Sequence, residues 1–183
     1  MDKLQKLQKL QVEIESCSLC KSVGYGKQVF GEGNPNAKIM FVGEAPGKKE
    51  AESGRPFIGR SGQLLRATIY SVGLQEKDLY ITSPVKFLPN RGTPTKKEID
   101  HSNIHFKKQL SIINPKILVL LGKTAIHALL NEDIPVLKRH GEIIRRDGWK
   151  ILITLHPAAV LRFPKYKKEF NEDFEKIKKL VTD

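Results

Sequence analysis

The chain has 183 residues, enough for a sizeable core in one folding unit but hardly enough for two. Lys and Arg total 32 against 20 Asp and Glu, a formal charge of +12 that draws a polyanion to the surface and puts nucleic acid ahead of other partners; a basic surface without such a role is the plain alternative. The longest apolar run, Ile117 to Leu121, is far too short to cross a bilayer as a helix, and the opening MDKLQKLQKLQ lacks an apolar signal core, so a cytoplasmic, nucleoid-associated protein with no membrane partner is expected.

Leu4, Leu7, Leu10 and Ile14 recur at helical spacing and predict an amphipathic helix over 3–15. It leads into the two cysteines of the chain, Cys17 and Cys20, whose C-x-x-C spacing reads as metal or redox chemistry rather than a structural disulfide. Four short apolar runs then read as buried strands: Ile39 to Val42, Leu79 to Thr82, Ile117 to Leu121 and Ile151 to Leu155. Helical patterns at Gly62 to Val72, Lys96 to Ile113 and Lys123 to Leu130 separate them, and a further amphipathic helix over 169–180 closes the chain. Alternating strands and helices predict an α/β fold, a single domain over 1–183 in which a mostly parallel four-stranded sheet is covered on both faces.

In such sheets ligands bind beyond the carboxyl ends of the strands, and the loops there are the unusual parts of this sequence. The first reads Gly43-Glu44-Ala45-Pro46-Gly47, a carboxylate on a tight small-residue turn directly after a strand, able to orient water or stabilise a cation; a plain turn with an exposed Glu is the ordinary alternative. Its continuation, Ser53 to Gly62, carries Arg55 and Arg60 with Ser61 at the approach to a helix, a setting that favours phosphate. Phe57 in the same loop offers a face on which an unstacked base can lie. His156, fixed by Pro157 after the fourth strand, is placed to donate to a developing anion, and Leu161 and Arg162 follow as an apolar wedge beside a phosphate partner.

The motifs GEAPG, SGRPFIGRSGQLL and HPAAVLR, in this order and with FGEGNPNAKIMFVGEAPG and INPKILVLLG around them, resemble those of family 4 uracil-DNA glycosylases over about Cys17 to Pro164. The resemblance implies a base-excision DNA repair enzyme, a hydrolase of N-glycosyl bonds that flips a damaged or deaminated base, uracil foremost, out of DNA and leaves an abasic site. It implies Glu44 and His156 as the catalytic pair and Gly43, Ala45, Gly47 and Phe57 as pocket residues. Arg60, Ser61 and Arg162 would contact phosphates, with Arg55, Lys86, His140 and Leu161 also facing the DNA, and a monomer is expected.

The sequence departs from the family pattern in three features. Ser83 stands where members carry a base-reading Asn, and a single hydroxyl does not present that amide's fixed donor and acceptor. A DNA-binding member of the fold with altered base specificity or lost excision is therefore the competing reading. The family's four-iron four-sulfur cluster is held by four cysteines; Cys17 and Cys20 are present, but Phe87 and Ser102 occupy the other two positions, so the cluster is expected to be lost or altered. His101 and His105, at i and i+4 on the predicted helix, could complete a tetrahedral zinc site with the cysteines. Their distance from Cys17 and Cys20 along the chain favours instead surface histidines beside a reduced remnant. The third departure is His140, before Gly141, where the family tends to have Arg; it would make any DNA contact there sensitive to pH.

Overall fold

The computed structural model describes residues 1–22 and 24–182. In chain order the elements are α1 (Lys3–Ser16), α2 (Ser18–Ser22), β1 (Gly24–Tyr25), β2 (Glu32–Gly33), β3 (Ile39–Val42), α3 (Lys48–Ser53) and α4 (Arg60–Ser71). After a 3-10 turn at Glu76–Asp78 come β4 (Leu79–Thr82), β5 (Leu88–Pro89), α5 (Lys96–Ile113), β6 (Ile117–Leu121), α6 (Lys123–Leu130), α7 (Val136–Arg139) and β7 (Ile143–Arg146). β8 (Trp149–Thr154), α8 (Pro157–Arg162) and α9 (Lys167–Thr182) complete it.

The four predicted strands form the parallel centre of one sheet in the order β4-β3-β6-β8. Two antiparallel edges, β2 against β4 and β7 against β8, extend it to six strands. β7 escapes an apolar-run search because Ile143 to Arg146 is largely exposed. Its turn is nevertheless written in the sequence: Asp147 and Gly148 both take positive φ, 51° and 81°, the two-residue hairpin that Asp-Gly favours.

Successive side chains on a strand face opposite ways, and the two cores follow that alternation. Ile39, Phe41, Ile117 and Val119 pack beneath α4, α8 and α9 with Leu65, Ile69, Val160, Phe170 and Phe174. Met40, Val42, Leu118 and Leu120 meet Leu7 of α1, Phe106 and Leu110 of α5, and Ile126 of α6. This is the expected three-layer arrangement. Helix α1 starts with a reciprocal cap, Asp2 accepting from the Gln5 amide and Gln5 from the Asp2 amide, and buries Leu7, Leu10 and Ile14 while Leu4 stays exposed. Among the described residues no helix is long and apolar enough to cross a membrane.

Because β4, β3, β6 and β8 run parallel, the residues that follow them leave the sheet on one rim: Ser83, Gly43 and Glu44, Gly122, and His156. The chain moves from β3 to β4 on one side, then crosses back to β6 on the other. The rim between β3 and β6 is therefore the switch point at which a crevice opens.

Candidate active site

Glu44 and His156 flank that crevice. The half-buried Glu44 accepts a hydrogen bond through Oε2 from Thr124 Oγ1 at 2.8 Å, which sets the carboxylate beside the first turn of α6, where the helix dipole favours negative charge. His156 caps α8: its Nδ1 accepts from the Ala158 amide at 3.2 Å. The neutral ring must then carry its proton on Nε2. Burial holds the His156 pKa below its ordinary value, and the Glu44 charge opposes that only in part. The rim thus holds a carboxylate and a neutral imidazole with an N–H to donate.

Phe57 lies beside the imidazole, ring centroids 6.0 Å apart. It is a buried non-glycine residue with φ +52°, a strained conformation that its surroundings enforce. A Cβ at Gly43 would come within 2.4 Å of Phe57 Cζ, and one at Gly62 within 1.9 Å of the Phe57 carbonyl oxygen, so glycine at both positions makes the ring and its backbone fit. Arg66 donates through Nε to that carbonyl at 3.1 Å and is itself paired with Glu32 and Glu76. Glu50, which the sequence reading did not single out, accepts from the Ile58 amide at 2.8 Å and the Gly59 amide at 2.7 Å and so ties the loop back to α3.

Next to them a cavity of about 180 Å³ is lined by Gly47, Glu50, Phe57, Ser61, Ser83 and His156, with Ala45 and Pro46 at its wall. Ser83 Oγ donates to the Val85 carbonyl at 3.1 Å, so its proton is engaged and its lone pairs remain. Beside the cavity, Arg60, Ser61, Leu161 and Arg162 line an open groove with Lys48 and Lys49. Leu161 and Phe163 are exposed, and the Arg162 guanidinium lies 5.4 Å from the Phe163 ring centre.

The other expected DNA contacts fare differently. Lys86 is fully buried, its Nζ donating to Gln109 Oε1 at 2.6 Å, Thr82 Oγ1 at 2.7 Å and the Phe30 carbonyl at 3.1 Å; it is an interior residue, which corrects the expectation that it faces DNA. Burial pushes its ammonium down to about 7. Arg55 is exposed but paired with Glu32 at 2.9 Å. His140 is half-buried with Nδ1 3.1 Å from Asp173, and Asp173 also accepts from Thr154 Oγ1 at 2.7 Å.

Cys17, Cys20, His101 and His105 converge: one potential ligand atom from each lies within 4.8 Å of every other. His101 Nε2 stands 3.3 Å from Cys17 Sγ and 3.5 Å from Cys20 Sγ. His105 and Cys20 are buried and the other two half-buried, which corrects the expectation that the histidines lie on the surface. Burial, reinforced by Cys17, pushes the Cys20 thiol up to about 12. At the family's remaining cysteine positions Phe87 packs against Cys20 in an apolar cluster, and the Ser102 hydroxyl is buried without a hydrogen-bond partner among the described residues. Two cysteine sulfurs and two imidazole nitrogens this close together do not fit a four-iron four-sulfur cluster.

Residues 30–178 match the Uracil DNA glycosylase superfamily. The chain is 35% identical to a type-4 uracil-DNA glycosylase of Archaeoglobus fulgidus, an alignment covering 97% of this chain and 94% of that one. It is 36% identical to the type-4 uracil-DNA glycosylase of Sulfurisphaera tokodaii over 97% of this chain and 86% of the relative. With that of Thermotoga maritima it shares 35% identity over 92% and 91%.

Proposed function

This chain belongs to the uracil DNA glycosylase superfamily, and from that premise we propose that it hydrolyses the N-glycosidic bond of a deaminated base, uracil foremost, flipped out of DNA, leaving an abasic site. The observation that carries the proposal is the pairing of Glu44, held by Thr124, with a His156 whose free N–H is fixed on Nε2. As the bond from the sugar to the base breaks, the base takes both bonding electrons. The His156 N–H stabilises the oxygen on which that charge collects, while Glu44 stabilises the sugar cation and orients the water that adds to it. A neutral imidazole suits this task because it donates without first losing a proton to the departing anion. Phe57 stacks on the base, and Lys48, Lys49, Arg60 and Arg162 receive the flanking phosphates, with Leu161 filling the stack the base has left.

The proposed setting is the nucleoid, where such DNA is found, and the proposed acting unit is a monomer. Ser83 favours a broader base choice. With its proton engaged by Val85, it offers an acceptor alone, matching a ring N–H, which uracil, hypoxanthine and xanthine all have and cytosine lacks.

Duplexes carrying uracil, hypoxanthine or xanthine, incubated with the protein and cleaved in alkali, test both statements. Strand breaks at uracil that fall by two orders of magnitude or more in Glu44→Ala and His156→Ala support excision. A protein that binds these duplexes and never cuts them is a binder of DNA and not a glycosylase.

A further inference from the structure

We propose that Cys17, Cys20, His101 and His105 hold a single zinc ion, as a closed structural site, in place of the family's iron-sulfur cluster. The donor set is two thiolates and two imidazoles, which zinc takes in tetrahedral geometry, with Zn–S near ~2.3 Å and Zn–N near ~2.1 Å. Those bond lengths imply edges of about 3.8 Å between sulfurs, about 3.4 Å between nitrogens and about 3.6 Å between a sulfur and a nitrogen. The His101 contacts of 3.3 and 3.5 Å already match, and the overall 4.8 Å limit leaves only small side-chain shifts to close the rest.

The fold prepares this meeting from distant parts of the chain. Cys17 caps the end of α1 and Cys20 lies within α2, while His101 and His105 share one face of α5 a turn apart, and α1 packs along α5. The Glu13 carboxylate lies 3.6 Å from His105 Nδ1, a buried atom with no hydrogen-bond partner among the described residues. All four positions of a tetrahedron are filled by protein, so the ion has no open place for a substrate and serves to brace the fold.

What it braces adjoins the proposed pocket. Cys20 packs with Val85 and Phe87, and Val85 is the residue whose carbonyl engages Ser83. The zinc assignment stands on the cluster alone and is independent of the base-excision reading.

The test uses the full chain, expressed without added metal and purified under reduction. Elemental analysis is expected to find one zinc per chain and neither iron nor acid-labile sulfide. Cobalt exchanged for zinc is expected to give tetrahedral visible bands with thiolate-to-cobalt charge transfer. In competition with a chromophoric chelator, Cys20→Ser and His101→Ala are expected to weaken zinc binding at least tenfold. His105→Cys, which keeps four ligands, is expected to retain it, separating loss of a ligand from loss of fold. Iron with sulfide in stoichiometric amount, a Cys17–Cys20 disulfide in the purified protein, or a folded chain that takes up no zinc from solution overturns the assignment.

Discussion

Thr124 Oγ1 donates to Glu44 Oε2 over 2.8 Å, joining the turn after β3 to the first turn of α6 across the switch point of the sheet. One hydroxyl therefore decides how the carboxylate faces the crevice. In the proposed reaction that orientation matters most when charge develops on the sugar.

Thr124→Val keeps the shape of this buried side chain and removes its donor. Loss of one hydrogen bond to a charged group is worth roughly 1.5 kcal/mol, about tenfold in rate. Single-turnover excision from a uracil duplex should slow by about that factor, with the melting temperature lowered by no more than a few degrees. An unchanged rate would remove Thr124 from the proposed machinery.

The His156 imidazole should titrate below its ordinary value of 6.5, because burial outweighs the attraction of Glu44. The folded chain then binds fewer protons here than the unfolded chain. Its contribution to stability is present above about pH 6.5 and is lost as pH falls through the lower folded-state value. Nitrogen-15 NMR of the labelled ring should report an unprotonated Nδ1 and protonated Nε2 at neutral pH, with a midpoint below 6.5. A midpoint above 6.5 would contradict the neutral donor.

Lys86 makes a second pH prediction of the same sign. Its pKa falls from 10.5 unfolded to about 7 folded, so between those values the unfolded chain binds the extra proton and stability rises with pH. Urea midpoints measured from pH 7 to 9.5 should climb for the wild type relative to Lys86→Met. Parallel curves would show that the ammonium stays charged inside its cage of Gln109, Thr82 and Phe30.

The parallel centre of the fold and the Glu44–His156 pair were legible because both rest on local sequence. An apolar run makes a buried strand, and whatever follows a parallel strand lands on the functional rim. What stayed hidden depends on contacts between distant segments. Glu50 has no local signature: its partners are amides in the loop that leads into α4. The approach of His101 to Cys17 follows from the packing of α1 on α5, which no spacing along the chain reveals. Lys86 looked like a loop cation because it lies in a Pro-containing stretch between strands, yet Leu79 to Pro89 is buried throughout.

The strained Phe57 gives a prediction about stability in which two glycines should behave very differently. A Cβ at Gly62 would sit 1.9 Å from the Phe57 carbonyl oxygen and 2.5 Å from its Cα, both backbone atoms that no rotamer change can move. Gly62→Ala must either push α4 away from the sheet or drive Phe57 out of its positive φ, at a cost of about 3 kcal/mol or more, roughly 10 °C in melting temperature. Gly73 has φ +80° but nothing within 4 Å of a Cβ, so Gly73→Ala should cost only the left-handed backbone penalty of about 1 kcal/mol. Because Phe57 also lines the proposed base pocket, surviving Gly62→Ala protein should excise poorly even where it is folded, while Gly73→Ala should excise normally. Equal melting temperatures for the two variants would mean that α4 yields without strain and that the Phe57 conformation is not enforced by Gly62.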